Sequence, residues 1–307
     1  MTGNKYLIII AGPTASGKTD LAVDLAEMLG TEIISADSRQ VYREMKTGTA
    51  FPSPSQLVRV RHHLAGHISV HDKYNASIFE NEALALLEQI FRNHDTAVMA
   101  GGSGLYIDAV CRGIDDLPSI SREVREAVKN LYHTGGLESI RERLQKVDNT
   151  YYERVDLNNP SRILKALEVN EMTGRPYSSF LTGPSRQRAF KTIKAGIGIE
   201  RKMLHERINR RVDTMIENGL VEEALSLYPL RDLNALNTVG YKELFTYFDG
   251  SISLEEAVEQ IKSHTRQYAR RQMTWFRKDS GIKWFDASAK DEIFEYVMNK
   301  IKDVGTA

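Results

Sequence analysis

Cysteine is almost absent from the sequence: Cys111 is the single thiol among 307 residues. One cysteine excludes an internal disulfide and any cysteine-rich zinc site. A chain without disulfides is typical of the reducing cytoplasm, where we expect this protein to work. Because Cys111 lies in an apolar helical stretch, we expect it to be a small buried hydrophobe.

Long apolar runs and an excess of either charge are absent too. The run "YLIIIAG" at 6–12 is far too short to cross a bilayer, and no small-residue cleavage site follows it. The formal net charge of +0 is only weak evidence against a general nucleic-acid coat protein and leaves room for a local basic patch. We therefore expect no membrane association, in a chain long enough for one large domain or two modest ones.

The first third of the chain alternates apolar strands with helical patterns. Strands are predicted at 6–12 and 32–37 and helices at 18–29 and 81–94, with a strand, turn and helix start at 96–106; residues 38–77, which include several prolines and histidines, are predicted to be irregular. Strands that alternate with helices imply a parallel sheet with right-handed crossovers. The predicted fold class is therefore α/β, with helices flanking a parallel sheet.

The pattern changes after about Gly113, and no convincing strand is predicted between 121 and 180. We interpret residues 113–190 as an all-helical insertion domain within a core made of 1–112 and 191–307. In the second part of the core we predict a strand at 191–200, helices around 201–217, 237–248 and 254–277, and an edge strand at 282–288.

The segment "GPTASGKT" at 12–19 fills the G-x-x-x-x-G-K-[ST] template between a predicted strand and a predicted helix. Its glycines let backbone amides point inward, and the helix N-terminus adds positive potential. Lys18 would reach the outer phosphate, and Thr19 would place its hydroxyl on Mg²⁺. The motif predicts a P-loop-type sheet that binds a diphosphate, but it does not identify what carries that diphosphate.

A second acidic residue for Mg²⁺, which P-loop NTPases carry at the end of an apolar strand, is missing. The strand "TAVMAGG" at 96–102 runs into glycines instead. Asp37, in "SADSRQVY", is the acid at a strand end near the loop, where α/β sheets place their ligands. It could hold a metal through water, accept a proton from a nucleophile, or only cap a helix. A small-molecule kinase remains open on this pattern.

Six segments occur in order across nearly the whole chain: "GPTASGKT", "ISADSRQVYREMKTGTA", "GGSGLY", "NPSRILKALEV", "VGYKEL" and "RRQMTWFRK". Together they closely resemble the bacterial tRNA dimethylallyltransferases. The resemblance implies transfer of a dimethylallyl group from its diphosphate to the exocyclic amine of the adenine on the 3′ side of the anticodon. The diphosphate would then be the leaving group, which fits the missing second acid.

The resemblance also implies roles for individual residues. The donor would bind to Gly12, Pro13, Thr14, Ala15, Ser16, Gly17, Lys18 and Thr19. Asp37 resembles the general base, and Arg211 is the candidate for a further cation on the leaving diphosphate. A solvated helix face is the alternative for Arg211. Mg²⁺ would be the cofactor, held by Thr19, and we expect a monomer.

The resemblance further implies contacts to the tRNA anticodon stem-loop. The residues concerned are Asp37, Ser38, Arg39, Gln40, Ser103, Arg125, Ser161, Arg162, Ile163, Leu164, Lys165, Asn237, Thr238, Val239, Gly240, Tyr241, Lys242, Arg270, Arg271, Gln272, Met273, Thr274, Trp275, Phe276 and Arg277. Ser103 stands where most members have threonine, so a hydroxyl is kept and a methyl is lost. An adenine in the loop must flip out to reach the donor.

The long helix predicted at 254–277 carries a basic stripe. Arg266, Arg270 and Arg277 fall within about 40° of one another on a helix of 3.6 residues per turn. Tyr268 and Trp275 fall on the opposite side, and we expect them in the core. A run of charge is usually a solvated face, but the uncompensated positive sign favours nucleic-acid binding.

Three alternatives stay open from the sequence: an enzyme that prenylates free adenine nucleotides, a small-molecule P-loop kinase, and a non-enzymatic RNA-binding module. The helical insertion and the basic helix favour a macromolecular acceptor over a free nucleotide. The histidines between His62 and His71 lack a cysteine or carboxylate at ligand spacing, and we do not expect a metal there.

Overall fold

The apolar run near the N-terminus forms the centre of a six-stranded sheet in the computed structural model, which describes residues 4–115, 117–181, 183 and 186–303. The strands are β1 Tyr6–Ala11, β2 Ile33–Ser35, β3 His62–His63, β4 Thr96–Gly101, β5 Lys191–Gly198 and β6 Lys283–Asp286. Their order is β3-β2-β4-β1-β5-β6, and every pairing is parallel. The predicted α/β class and parallel sheet are confirmed.

Every residue of β1 is buried, because this strand lies between β4 and β5 and is covered on both faces. A strand buried on both sides needs a continuous apolar sequence, and "YLIIIA" provides one. Side chains of β1 pack with those of the first helix and of the neighbouring strands in one large cluster. This cluster anchors the loop that leaves the end of β1.

Helices occupy most of the remaining chain. In chain order they are α1 Lys18–Met28, α2 Pro54–Arg59, α3 Ala76–Asn93, α4 Gly104–Arg112, α5 Arg122–Val147, α6 Asn149–Tyr152, α7 Pro160–Thr173, α8 Arg201–Glu217, α9 Leu220–Leu227, α10 Tyr241–Phe248, α11 Leu254–Phe276 and α12 Lys290–Asp303, with short 3₁₀ helices at Tyr177–Phe180, Tyr228–Leu230 and Asn234–Leu236. A second apolar cluster of the core contains side chains from α8, α9, α10 and α11 and from the segment that follows β2.

Two compact units divide the chain: Met1–Cys111 with Gln187–Ala307, and Arg112–Arg186. The predicted insertion at 113–190 begins one residue later and ends four residues later than the second unit. In the described part of that unit the regular elements are helices, and α5 and α7 pack around Ile140 and Ile163.

Several details of the predicted elements were wrong. Residues 38–77 are not wholly irregular, because they contain α2 and the short strand β3, which pairs with β2. The helix that was predicted to begin at 81 begins at Ala76 instead, because the Asn75 side chain caps it by accepting hydrogen bonds from two backbone amides of the first turn. Cys111 is half-buried and not enclosed. β6 is an edge strand, as predicted.

Among the described residues, no helix combines the length and the apolar character that crossing a membrane requires.

The packing of β1 predicts a large stability effect at Ile8, which has 0% exposure. Ile8→Ala should lower the free energy of unfolding by roughly 2–5 kcal/mol, because it removes buried methyl groups and leaves a cavity. Val58→Ala is the control, since Val58 is 87% exposed and should change the stability by less than about 0.5 kcal/mol. Chemical denaturation of both variants measures the difference, and equal effects would contradict the assigned packing.

Candidate active site

The loop at 12–19 joins β1 to α1 at the carboxyl edge of the sheet. Gly17, the residue before α1, has a left-handed φ of 93° and provides no side-chain cap, so the first amides of the helix are available to an external acceptor. Ala15 also has a positive φ, 63°, a conformation that non-glycine residues adopt at a cost and that recurs in functional loops. The loop therefore has the backbone form of an anion site.

Two cations and one carboxylate line a single cavity beside this loop: Lys18, Arg211 and Asp37. Burial and the neighbouring Arg211 lower the pKa of Lys18 to about 7, although Asp37 acts in the opposite direction. Burial also lowers the pKa of Arg211. Two cations with one carboxylate leave net positive charge in a poorly solvated place, and a polyphosphate anion would relieve that cost.

The carboxylate of Asp37 is oriented by its own loop. Its Oδ1 accepts hydrogen bonds from the backbone amides of Arg39, at 2.9 Å, and Gln40, at 3.3 Å. These bonds close a turn, and the helix N-cap that the sequence left open as an alternative is not formed, because residues 38–41 are turn and not helix. Among the described residues, both hydrogen bonds to this carboxylate are accepted by Oδ1. Oδ2 is therefore available to a ligand.

The rest of the cavity has a polar part and an apolar part. Besides the three charged residues, its lining comprises Thr14, Thr19, Ala22, Ile33, Ser35, Gln40, Pro52, His62, Ala100, Gly101, Gly102 and Gln272. The apolar part is a wall made by Ala22, Ile33, Pro52 and Ala100, which the sequence did not predict. Only the folded chain brings these positions together, and no local motif marks them.

His62 was missed as a lining residue as well. Its Nδ1 lies 2.9 Å from the carbonyl oxygen of Val60, while its Nε2 is buried without a partner among the described residues. Burial lowers the pKa of His62, so the ring stays neutral at pH 7. The neighbouring His63 contacts Glu32. His62 and His63 therefore form the edge strand β3, and the described residues contain no cluster of three metal-ligating side chains.

Gln272 braces the site from α11. Its Oε1 accepts a hydrogen bond from the backbone amide of Thr14 at 2.8 Å, and its Nε2 donates to the carbonyl oxygen of Gly102 at 3.0 Å. A Cβ at Gly102 would lie 2.1 Å from Nε2, so this contact requires glycine in "GGSGLY". The Gln272 side chain is 6% exposed and also lines the cavity, so a contact with tRNA stays a prediction that only a base entering the cavity would satisfy.

Ser103 joins the ends of β2 and β4. Its Oγ accepts a hydrogen bond from the amide of Ser38 at 2.9 Å, and its own amide donates to the carbonyl oxygen of Ala36 at 3.1 Å. The hydroxyl that is shared with threonine at this position thus holds the turn that carries Asp37.

Arg39 contacts the segment before α10. Its Nη1 donates to the carbonyl oxygens of Asn234, at 3.2 Å, and Ala235, at 3.1 Å, which orders the start of the segment 237–242. Tyr241, within that segment, has 0% exposure, so its side chain packs in the core, and the contact of the segment 237–242 with tRNA stays a prediction.

Comparison with known proteins agrees with this architecture. The family model for IPP transferase matches residues 40–279. The tRNA dimethylallyltransferase of Christiangramia forsetii is 49% identical over 97% of this chain and 99% of that protein. The tRNA dimethylallyltransferase 1 of Phocaeicola vulgatus is 48% identical over 95% of this chain and 97% of its own.

The chain belongs to the IPP transferase family.

Solved structures support this membership. The full-length tRNA isopentenylpyrophosphate transferase of Bacillus halodurans is 34% identical, covers 99% of this chain and 98% of its own, and gives a TM-score of 0.71. A eukaryotic dimethylallyltransferase that acts on tRNA is 24% identical, with a TM-score of 0.83, and shows the shared fold.

The exposed residues at the C-terminal end of α11 in this IPP transferase include the predicted arginines, whereas its first turns expose glutamates. Arg270, Arg271 and Arg277 are exposed, and so is Thr274, whereas Met273 is half-buried. The predicted place of Arg266 in the exposed stripe was wrong, because Arg266 is half-buried and its Nη1 donates to Asn209 Oδ1 at 2.7 Å. The stripe available to a ligand is therefore shorter than the helical spacing predicts.

Two aromatic residues of α11 also differ from expectation. Trp275 is 41% exposed and not in the core, and its Nε1 donates to Asp108 Oδ2 at 2.8 Å. Tyr268 is half-buried. Phe276 is 3% exposed, which corrects its predicted RNA contact to packing.

In the helical unit, α7 presents Ser161 and Arg162 to solvent, with Leu164 and Lys165 half-buried. Burial lowers the pKa of Lys165. Ile163 has 0% exposure, so its predicted tRNA contact is also corrected to packing. Arg125 on α5 is exposed, and an RNA contact there stays a prediction.

The place of Arg211 in the cavity predicts a role in anion binding. Arg211→Gln should weaken the binding of magnesium pyrophosphate roughly 10- to 100-fold, because hydrogen bonds to charged groups contribute about 1.5–3 kcal/mol each. Titration calorimetry measures the affinity. Arg210→Gln is the matched control, since Arg210 precedes it on α8 and is exposed. Equal losses in both variants would mean that only general charge matters.

Proposed function

We propose that this chain transfers a dimethylallyl group from dimethylallyl diphosphate to the exocyclic amine of the adenine 3′-adjacent to the anticodon of tRNA, with release of diphosphate. The named activities of the relatives support this reaction. The observation that carries it is the single carboxylate, Asp37, in a cavity whose described lining also includes two half-buried cations and an apolar wall. A tRNA substrate would place the reaction in the cytoplasm.

Departure of the diphosphate is the step that the charged residues serve. The allylic C–O bond breaks, and the electron pair leaves with the diphosphate oxygen, where negative charge accumulates. Lys18 and Arg211 line this cavity and the amides at the start of α1 lie beside it, so they would stabilise the developing charge. Binding of the anion would also raise the lowered pKa of Lys18 and keep its ammonium group protonated.

The residues present fit Mg²⁺ as an ion shared with the donor. Thr19 lines the cavity with a hydroxyl group, and one carboxylate lies on the same cavity. Mg²⁺ usually keeps several waters and binds one or two protein oxygens together with substrate phosphates, so a full protein cage is not required. We propose that Thr19 holds it and that the ion neutralises part of the leaving charge.

The attacking amine must lose a proton as the C–N bond forms. An exocyclic amine is a poor nucleophile whose acidity rises during attack, so a carboxylate can accept its proton late in the step. Asp37 is the proposed base, and Oδ2 is the oxygen available for it, because its Oδ1 accepts from Arg39 and Gln40. The apolar wall of Ile33, Pro52 and Ala100 would receive the dimethylallyl group and exclude water from the allylic cation.

The acceptor needs a basic surface and a route for the base. We propose that Arg270, Arg271 and Arg277 on α11 contact tRNA phosphates, since they are exposed on the helix whose Gln272 holds the phosphate loop. We further propose that the helical unit binds the anticodon stem through Arg162 on α7. The adenine would be flipped out of the loop to meet the donor.

One assay separates the proposed reaction from the alternatives. The protein is incubated with labelled dimethylallyl diphosphate and Mg²⁺ in the presence of unmodified tRNA, AMP or neither acceptor. Label on tRNA is the expected result. Label on AMP alone would identify a free-nucleotide prenyltransferase, and turnover only with ATP would identify a kinase.

Asp37→Asn should retain donor and tRNA binding while product formation falls by about 10²- to 10⁴-fold, because the amide cannot accept the proton. Single-turnover measurement of the variant with bound tRNA gives the rate. Asp291→Asn serves as the matched carboxylate-to-amide control, since Asp291 is exposed on α12 and does not line the cavity. A near-normal rate in Asp37→Asn would remove Asp37 as the base.

Arg270→Gln and Arg277→Gln should each weaken tRNA binding and reduce the log–log salt slope by about 0.7, if each contacts one phosphate of a single-stranded loop. Filter binding across a salt series measures both quantities. Arg92→Gln, at an exposed residue of α3, is the control and should leave the slope unchanged. An unchanged slope in all three variants would contradict the assignment to α11.

A further inference from the structure

The carboxylate of Glu223 receives four hydrogen bonds, although it lies outside the cavity. Its Oε2 accepts from the backbone amides of Lys46, at 3.0 Å, and Thr47, at 2.8 Å. Its Oε1 accepts from the amide of Gly48, at 2.9 Å, and from the hydroxyl of Tyr241, at 2.6 Å. A carboxylate has about four acceptor sites, so this one is fully used.

The opposite side of the same loop faces the cavity. The carbonyl oxygen of Thr49 accepts from Arg211 Nη2 at 3.3 Å and from Gln40 Nε2 at 3.2 Å, and the carbonyl oxygen of Ala50 accepts from Gln40 Nε2 at 3.1 Å. The amides of the loop 46–50 therefore donate to Glu223, and its carbonyl oxygens accept from the cavity residues Arg211 and Gln40. Glu223 makes three charge-assisted bonds to the loop and Arg211 makes one, so Glu223 is the stronger anchor.

The loop has little room to shift. A Cβ on Gly48 would lie 2.6 Å from the ring of Tyr241, so the backbone is pressed against this buried side chain. The hydroxyl of Thr49 donates to the carbonyl oxygen of Met45 at 2.5 Å, and Ala50 holds a left-handed φ of 46°. These contacts define one position for the carbonyl oxygen of Thr49 and hence for the guanidinium that donates to it.

A simpler role for Glu223 would be its position in the first turn of α9, where any acid stabilises the helix dipole. Glu222 occupies the same turn and is exposed. The dipole therefore does not account for the four bonds of Glu223, and Glu222 offers a control that shares the dipole effect.

We propose that Glu223 is a positioning residue for the prenyl transfer: it holds the loop 46–50 so that the carbonyl oxygen of Thr49 aims the guanidinium of Arg211 at the leaving diphosphate. The role rests on the proposed function for its effect on turnover, but its effect on anion binding is independent of the acceptor. Glu223 does not touch the substrate, and its influence passes through Arg211.

The test combines Glu223→Gln with Arg211→Gln in a double-mutant cycle on the full chain, with magnesium pyrophosphate as the titrated ligand and prenyl transfer to tRNA as the second readout. Glu223→Gln turns a fully used acceptor into an amide with one acceptor oxygen, which leaves loop amides unpaired. We expect pyrophosphate affinity to fall about tenfold and the KM for the donor to rise similarly, since the loop that orients Arg211 loses bonds to Glu223. Affinity for tRNA should not change.

The cycle distinguishes positioning from a general loss of stability. In the Arg211→Gln background, Glu223→Gln should add less than about twofold, because residues that act through one another are non-additive. Glu222→Gln should stay within about twofold of the wild type in both readouts. Full additivity with Arg211→Gln, or an equal loss in Glu222→Gln, would overturn the proposal.

Gly48→Ala provides a second route if Glu223→Gln does not fold. The added methyl displaces the same loop from Tyr241 without changing Glu223, so it should give the same loss of pyrophosphate affinity and the same non-additivity with Arg211→Gln. Normal affinity in a folded Gly48→Ala would contradict the role of the loop. The two proposals can also fail separately. If the variants show the expected coupling in pyrophosphate binding but the wild type transfers no dimethylallyl group, the proposed function is refuted and the positioning of Arg211 is not.

Discussion

The arrangement of charge around Lys18 is the constraint on which the rest of the site depends. An ammonium group and the guanidinium of Arg211 share a poorly solvated cavity with one carboxylate, and burial lowers the pKa of both cations. Such a site is unfavourable until an anion enters it, because the two cations share one carboxylate. In the proposed function that anion is the diphosphate, and the folding energy of the sheet holds the charged groups in place for it.

The sheet supplies the framework that keeps these groups together. The phosphate loop follows β1, Asp37 follows β2, and the glycines of "GGSGLY" follow β4, so that three neighbouring strands deliver their loops to one edge. Gln272 then ties two of these loops to α11, and Ser103 ties the third to the second. A helix that presents arginines to solvent is thus bonded through Gln272 to the phosphate loop. In the proposed function, this bond links the tRNA-binding surface to the donor site.

Much of this could be predicted from local pattern. A continuous apolar run predicts a strand covered on both faces, and the phosphate template after it predicts the loop and the helix start. The resemblance of six ordered segments predicts the family, which the comparisons confirm. Errors arose where local pattern is weak: β3 has two residues, and its pairing with β2 depends on chain separated by about thirty positions. Phe276 and Ile163 show that a motif identifies a segment and not the side of the helix that meets a ligand.

The sequence by itself determined the α/β class, the position of the phosphate loop, the helical insertion and the candidate acid, because each follows from residues close together along the chain. Only the tertiary structure decided which side chains form the cavity wall, that Gln272 points inward and Trp275 outward, and that Glu223 bonds to the loop behind Arg211. These facts depend on contacts between residues up to 258 positions apart, as between Thr14 and Gln272, and no local spacing encodes such contacts. Their physical origin is the packing of strand ends and helices at one edge of the sheet.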